Sequence, residues 1–254
     1  MVKLRKLRKM KAWRSAVSNI DDAVGTDAEN GKSAEILKAV LKKRYSCRAF
    51  RPDPVPQEII ELILQLACNA PSWCNAQPWQ VVATRGEATE SFRTALLEAA
   101  SRDNPNPDMK WPASYPGVYG ERRRACGYQL YDAVGIERGD YAARAEQSMK
   151  NMHLFGAPHV AIVHSEKELG SYGAMDTGGF VTAFMLAATT VGVATIAQAS
   201  IAAYPEVVRE HFSLPDNRTV LCAISFGYAD DCHPVNGFRT ERAQVEEILD
   251  MRET

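Results

Sequence analysis

Ala70-Pro71-Ser72-Trp73-Cys74-Asn75-Ala76-Gln77-Pro78-Trp79 is the stretch on which the reading of this chain turns. Before it, Ile59, Ile60, Ile63, Leu64 and Ala67 recur at helical spacing. After it, residues 80–84 are rich in valine and read as a strand. The stretch itself holds two prolines, small residues and the amides of Asn75 and Gln77, a poor set for packing. Its backbone and side-chain polar groups need partners, and a flat heteroaromatic ligand with alternating donors and acceptors would supply them. Trp79, behind Pro78, reads as core. Cys74 has no evident base beside it and reads as a small loop residue rather than a nucleophile.

Upstream, Arg44, Ser46 and Arg48 alternate along a short segment that ends at Pro52, Pro54 and Pro56. In an extended backbone the three fall on one side, where two guanidiniums and a hydroxyl suit a phosphate or another anion. Pro56 is placed to open the helix that leads into the loop. Ser33 is a candidate N-cap for an earlier helix. Residues 1–30 read as a basic, solvated tail, because seven Lys and Arg precede the first acid, Asp21. A surface-seeking basic helix or a transit segment is the alternative for that tail.

Downstream, helices are expected over residues 87–101, 121–131, 141–155, 173–191 and 205–212, with strands over 159–164, 193–197 and 220–228. Residues 173–191 are apolar nearly all round, which predicts a central helix. Residues 241–250 read as a terminal helix or an extended arm. Residues 102–120 form a long proline-rich connection with Trp111, Tyr115 and Tyr119, the pattern of a lid that packs on something. Strands do not alternate cleanly with single helices, so the fold class expected is α+β.

The chain has 254 residues and a formal net charge of −1, so no whole-protein field selects nucleic acid or an anionic membrane. Its six cysteines show no paired spacing, which argues against a structural zinc site or a disulfide framework and fits a reducing, cytoplasmic compartment. The five histidines form no metal-binding pattern, and neither a nucleophile elbow nor a glycine-rich phosphate loop is present. Gln198, Ala199 and Ser200 follow a buried strand and would let backbone approach a ligand. Arg239 and Arg242 form a late basic pair that could reach the same anion as Arg44 and Arg48.

In combination these residues resemble the FMN-dependent nitroreductase family. The match runs from Arg44, Ser46, Arg48 and Phe50 through Pro54-Val55-Pro56 and Pro71, Ser72, Asn75, Gln77-Pro78-Trp79. It continues through Gly156-Ala157-Pro158, the helix from Asp176, Gly192-Val193, Phe226-Gly227-Tyr228, Arg239 and Arg242. The resemblance implies a central mixed or antiparallel sheet flanked by helices, in an interlocked homodimer with FMN sites at its interface. It implies FMN contacts at Arg44, Ser46, Arg48, Pro71, Ser72, Trp73, Asn75, Gln198, Ala199, Ser200, Arg239 and Arg242. Substrate contacts are expected at Trp73, Cys74, Tyr119, Arg123 and Asn151, with a lid over residues 103–140 and a nitroreductase-like domain over 31–254. The implied activity is NAD(P)H-dependent reduction of a nitroaromatic or quinone by a ping-pong flavin mechanism. No catalytic side chain is expected, because a flavin carries the redox chemistry itself. Reductive dehalogenation on the same scaffold, and non-catalytic flavin binding, are the competing readings.

Overall fold

The computed structural model describes residues 27–252. The expected basic tail therefore lies outside the described residues as far as residue 26. The first helix, α1 (Asp27–Lys43), starts ahead of the predicted Ser33 cap and is a unit of its own; the second compact unit begins at Arg44.

The second unit is built on one four-stranded sheet with helices on both faces. Its strands are β1 (Gln80–Ala83), β2 (His159–Glu166), β3 (Ala194–Gln198) and β4 (Arg218–Gly227), in the order β1-β2-β4-β3, all antiparallel. β2 is buried along seven of its eight residues, so it reads as a continuous apolar run rather than an alternating one. Ala161, Val163, Ile224 and Phe226 face α2 (Gln57–Ala67) and α6 (Gly170–Thr190) on one side. Val160, Ile162, Val220 and Ala223 face α3 (Glu87–Arg102) and α7 (Pro205–Phe212) on the other. The remaining helices are α4 (Gly117–Ala133) and α5 (Tyr141–Met149).

Trp79 is 7% exposed and stacks on Phe180 with ring centroids 5.2 Å apart, as expected of a core tryptophan. Phe184 in turn meets Phe226 edge-on. Helix α6 buries Gly173, Thr177, Phe180, Phe184, Ala187 and Ala188, but Tyr172, Met175, Gly178 and Gly179 on its other side are exposed. Within one chain it is therefore covered on one side, not central.

Two sequence expectations change. The helix over 141–155 stops at Met149, and the chain then turns through Leu154 and Phe155 at φ 54° and 53° before Pro158 starts it toward β2. The irregular connection ends at Gly117, where α4 begins. Of the two forms expected for residues 241–250 the arm is the one present, with one short 3-10 turn (Val245–Glu247).

The start of the 103–140 region is also anchored. Asp108 accepts from Arg209 at 2.8 and 3.0 Å and from the Val220 backbone at 2.8 Å, while Asn106 N–H donates to the Ala203 carbonyl. Both side chains of that ion pair are largely buried, so neither can lose its partner cheaply.

His164 carries the clearest pH signature. Burial, and then the charge of Arg218, push its imidazole down from 6.5 to about 4, and its Nδ1 has no partner among the described residues. His159 is shifted in the same direction, by burial first. The unfolded imidazole binds its proton near pH 6.5 and the folded one near 4, so between those values the unfolded chain holds more protons. The stability contribution is complete above about 6.5 and is lost as pH falls toward 4. We expect urea midpoints to drop between pH 7 and pH 5, and His164→Leu to drop less. An equal drop in both proteins would show that His164 is not the group responsible.

Candidate functional site

Residues 44–50 run beside β3 as an extended edge. Ser46 makes a parallel bridge with Thr195, and Cys47 N–H donates to the Thr195 carbonyl at 3.0 Å. Cys47 is fully buried, whereas Arg44, Tyr45, Ser46, Arg48 and Ala49 around it are all half-buried. Burial pushes the Cys47 thiol up to about 11, which makes it packing rather than a nucleophile.

Asn236, which the sequence reading did not single out, holds this segment in place. Its Oδ1 accepts from Arg48 N–H at 2.8 Å, and its Nδ2 donates to the carbonyls of Ala49 and Asp230, both at 2.9 Å. Asp230 N–H returns a bond to the Ala49 carbonyl, and Arg51 N–H donates to the Tyr228 carbonyl. The same crossing explains Gly227: a Cβ there would sit 2.6 Å from Pro158 Cδ and 3.4 Å from a Phe50 ring carbon. The only sequence signal for Asn236 is its place in a Pro-Val-Asn-Gly turn, which suggests a loop and nothing more.

The arginines separate into two kinds. Arg239 is exposed but restrained: its Nη1 donates to the Asn236 and Phe238 carbonyls, and its guanidinium lies over the Tyr45 ring at 3.7 Å. Burial above all raises the Tyr45 phenol to about 12. Arg44 is held below its usual range by burial and, second, by the charge of Arg242. Arg48 is lowered by burial, and it donates to the Ser46 carbonyl at 3.1 Å. Among the described residues, none of these four arginines has a carboxylate within 4.0 Å. Half-buried Arg44 beside the like charge of exposed Arg242, neither with a counterion, fits a phosphate group.

At the end of β3, Gln198 is buried, Ala199 is exposed and Ser200 is half-buried. The Gln198 amide is fully engaged with Asn151 and Ser225, so contact with a ligand here falls to the backbone, Ala199 and Ser200. Asn151, predicted as a substrate contact, instead bonds both Gln198 and Ser200.

The loop at residues 70–79 is held by α6. Trp73 N–H donates to Asp176 at 3.0 Å, and the Trp73 ring meets Tyr172 edge-on at 4.1 Å. Cys74, Asn75 and Gln77 all have φ near +50°, a conformation that costs roughly 1–2 kcal/mol for most side chains. Ser72 offsets part of that cost, since its Oγ accepts from Gln77 N–H at 2.9 Å. Pro71, Trp73, Cys74 and Asn75 face outward, and Trp73 is 56% exposed.

The predicted site is thus present as two groups within one chain. The loop enters the sheet at the β1 edge, and Ser46 lies beyond β3 at the opposite edge. Four strand spacings, about 19 Å, separate those edges. Among the described residues no hydrogen bond joins the loop to residues 44–48, 198–200 or 239–242. Tyr119 and Arg123, the predicted substrate contacts of α4, are exposed, and Arg123 lies over the Tyr115 ring. A cavity of about 430 Å³ borders the arginine side, lined by Arg48, Phe50, Lys150, His153 and Phe155 among others.

The family assignment rests on the whole chain as well as on the site. The nitroreductase family model matches residues 41–228, and the chain belongs to the nitroreductase family. Nitroreductase NfnB of Mycolicibacterium smegmatis is 36% identical over 215 residues, 84% of this chain and 92% of that protein. A 4-nitrobenzoate reductase of Pseudomonas putida is 33% identical over 209 residues, 82% of this chain and 92% of that protein. The crystal structure of FMN-dependent NfnB from Mycobacterium smegmatis in complex with NADPH aligns with a TM-score of 0.83 at 35% identity, covering 87% of this chain and 99% of that one.

Replacing Asn236 by Ala strands the Arg48 N–H and removes one donor each from the Ala49 and Asp230 carbonyls. The expected loss is about 2–4 kcal/mol of unfolding free energy, measured by denaturant titration. A loss near zero would mean that Asn236 does not hold the 44–50 segment.

Proposed function

We propose that this chain is an FMN-dependent oxidoreductase that uses NAD(P)H to reduce nitroaromatic or quinone-type acceptors. The observation that carries the reading is half-buried Arg44 beside exposed Arg242, with half-buried Arg48 on the same segment as Arg44, none of them with a carboxylate partner among the described residues. Arg44 and Arg242 bind the FMN phosphate, and Ser46 and Arg48 continue the contact along the cofactor. Arg239, restrained by Tyr45, sets the path of the chain to Arg242. FMN, when bound, would supply the redox chemistry between the nicotinamide and the acceptor. Ala199 leaves the backbone accessible, and the rim at Pro71, Ser72, Trp73 and Asn75 excludes water and presents an aromatic surface.

The two groups of site residues meet when two copies of the chain associate. The loop of one copy closes the arginine side of the other, and the exposed side of α6 becomes the contact surface. Exposed Ile248, Leu249 and Met251 make the arm a second contact. The substrate lid is the part of residues 103–140 beyond the Asp108 anchor. Arg123 and Arg124 of α4 favour an acceptor with an acid group, and Cys74 and Tyr119 border its entry. Arg122 ties this helix to the arm through Glu247 at 2.9 Å.

Full-length protein saturated with FMN should show a flavin spectrum and consume NADPH with 4-nitrobenzoate. Arg44→Ala and Arg242→Ala should each weaken FMN about 10–100-fold, the effect of losing one charge-assisted contact. A chain that takes up no FMN would overturn the assignment. Light scattering should give twice the chain mass, and a monomer that still binds FMN at wild-type affinity would overturn the two-copy site.

A further inference from the structure

Asn151, Gln198, Ser200 and Ser225 form a hydrogen-bonded chain at the end of β3, and two backbone carbonyls settle its direction. The Asn151 carbonyl accepts from Gln198 Nε2 at 3.0 Å. Only the NH2 end of an amide can face a carbonyl, so Gln198 Oε1 faces the other way, where Ser225 Oγ donates to it at 2.5 Å. In the same way, the Ser148 carbonyl accepts from Asn151 Nδ2 at 3.0 Å. That turns Asn151 Oδ1 toward Gln198 Nε2, 3.3 Å away, and toward Ser200 Oγ, 3.0 Å away. An amide oxygen cannot donate, so Ser200 gives its one hydrogen to Asn151. Among the described residues Ser200 Oγ accepts no hydrogen bond, and its lone pairs are open.

We propose that Asn151 is a positioning residue that fixes Ser200 as a hydrogen-bond acceptor toward the bound cofactor. This rests on the FMN reading above. Reduction adds an N–H to the central ring of the isoalloxazine and turns an acceptor into a donor. An acceptor of fixed polarity therefore binds the reduced form more tightly than the oxidised one. A freely rotating serine would serve both forms; the amide chain removes that freedom. Buried Gln198 and Ser225 make the device rigid, because neither the Gln198 nor the Asn151 amide can flip without setting an oxygen against a carbonyl.

The test is the midpoint potential of FMN bound to the full-length protein, measured by dye equilibration. Ser200→Ala should lower the preference for reduced over oxidised FMN about tenfold, a fall of ~30 mV for two electrons. Asn151→Leu frees the hydroxyl to donate and should lower the potential at least as far. Ser200→Thr keeps the hydroxyl and should restore the wild-type value. A purely structural role would weaken both redox forms equally and leave the potential where it was. If Asn151→Leu does not fold, the comparison of Ser200→Ala with Ser200→Thr decides. An unmoved potential with FMN still bound overturns this proposal alone; absence of FMN binding overturns it together with the functional reading.

Discussion

The bond from Cys47 N–H to the Thr195 carbonyl ties an extended segment to the free edge of β3, and the candidate site depends on it. That bond sets which side chains of residues 44–48 face inward and which face out. Buried Cys47 then acts as the peg, and Asn236 locks the far end by bonding three backbone groups. Without this docking, Arg44 and Arg48 would be two solvated cations on a loop. With it, both are half-buried charges and Arg44 lies next to Arg242, in surroundings that favour an anion. An edge strand covered in this way is also protected from pairing with a foreign chain.

The polar groups at the end of β3 obey a similar economy. Gln198 is buried, but its amide does not point toward a ligand; it orders Asn151 and, through it, Ser200. Polar side chains inside the protein thus decide the chemistry of a hydroxyl near its surface. The strained loop at residues 70–79 works by another route. Three side-chain-bearing residues sit in the left-handed region, held by Ser72 and by the Asp176 carboxylate of α6, and the result is a rigid, outward-facing rim. Strain of this kind persists only where the surroundings over-determine it.

Much of the framework was legible in the chain itself. Apolar period placed α2 and α7 and the apolar runs placed all four strands, while Pro56, expected as the first helical residue, stands one residue ahead of α2 as its N-cap. The misreadings have local causes. Tyr141 to Phe155 keeps an apolar pattern past Met149, but the chain must turn there so that Pro158 can lead into β2. Helix α6 looked central because nearly every side of it is apolar, and one of those sides is exposed in the single chain. The Asp108–Arg209 pair was invisible because its partners lie a hundred residues apart and neither belongs to a pattern.

What the sequence determined was residue chemistry and periodicity: the arginines, the loop, the apolar strands and the order in which they follow. These are local properties, set by side-chain type and spacing along the chain. What only the tertiary structure decided was which of those groups share a space. Arg44 with Arg242, Asn236 with Arg48 and Asn151 with Ser200 come together through sheet order and the crossing of residues 44–51 over 227–230. It also separated the loop from the arginines, because antiparallel pairing placed β1 and β3 at opposite edges. Contacts between distant residues follow from burying apolar faces against one another, and that requirement leaves no local mark on the residues it brings together.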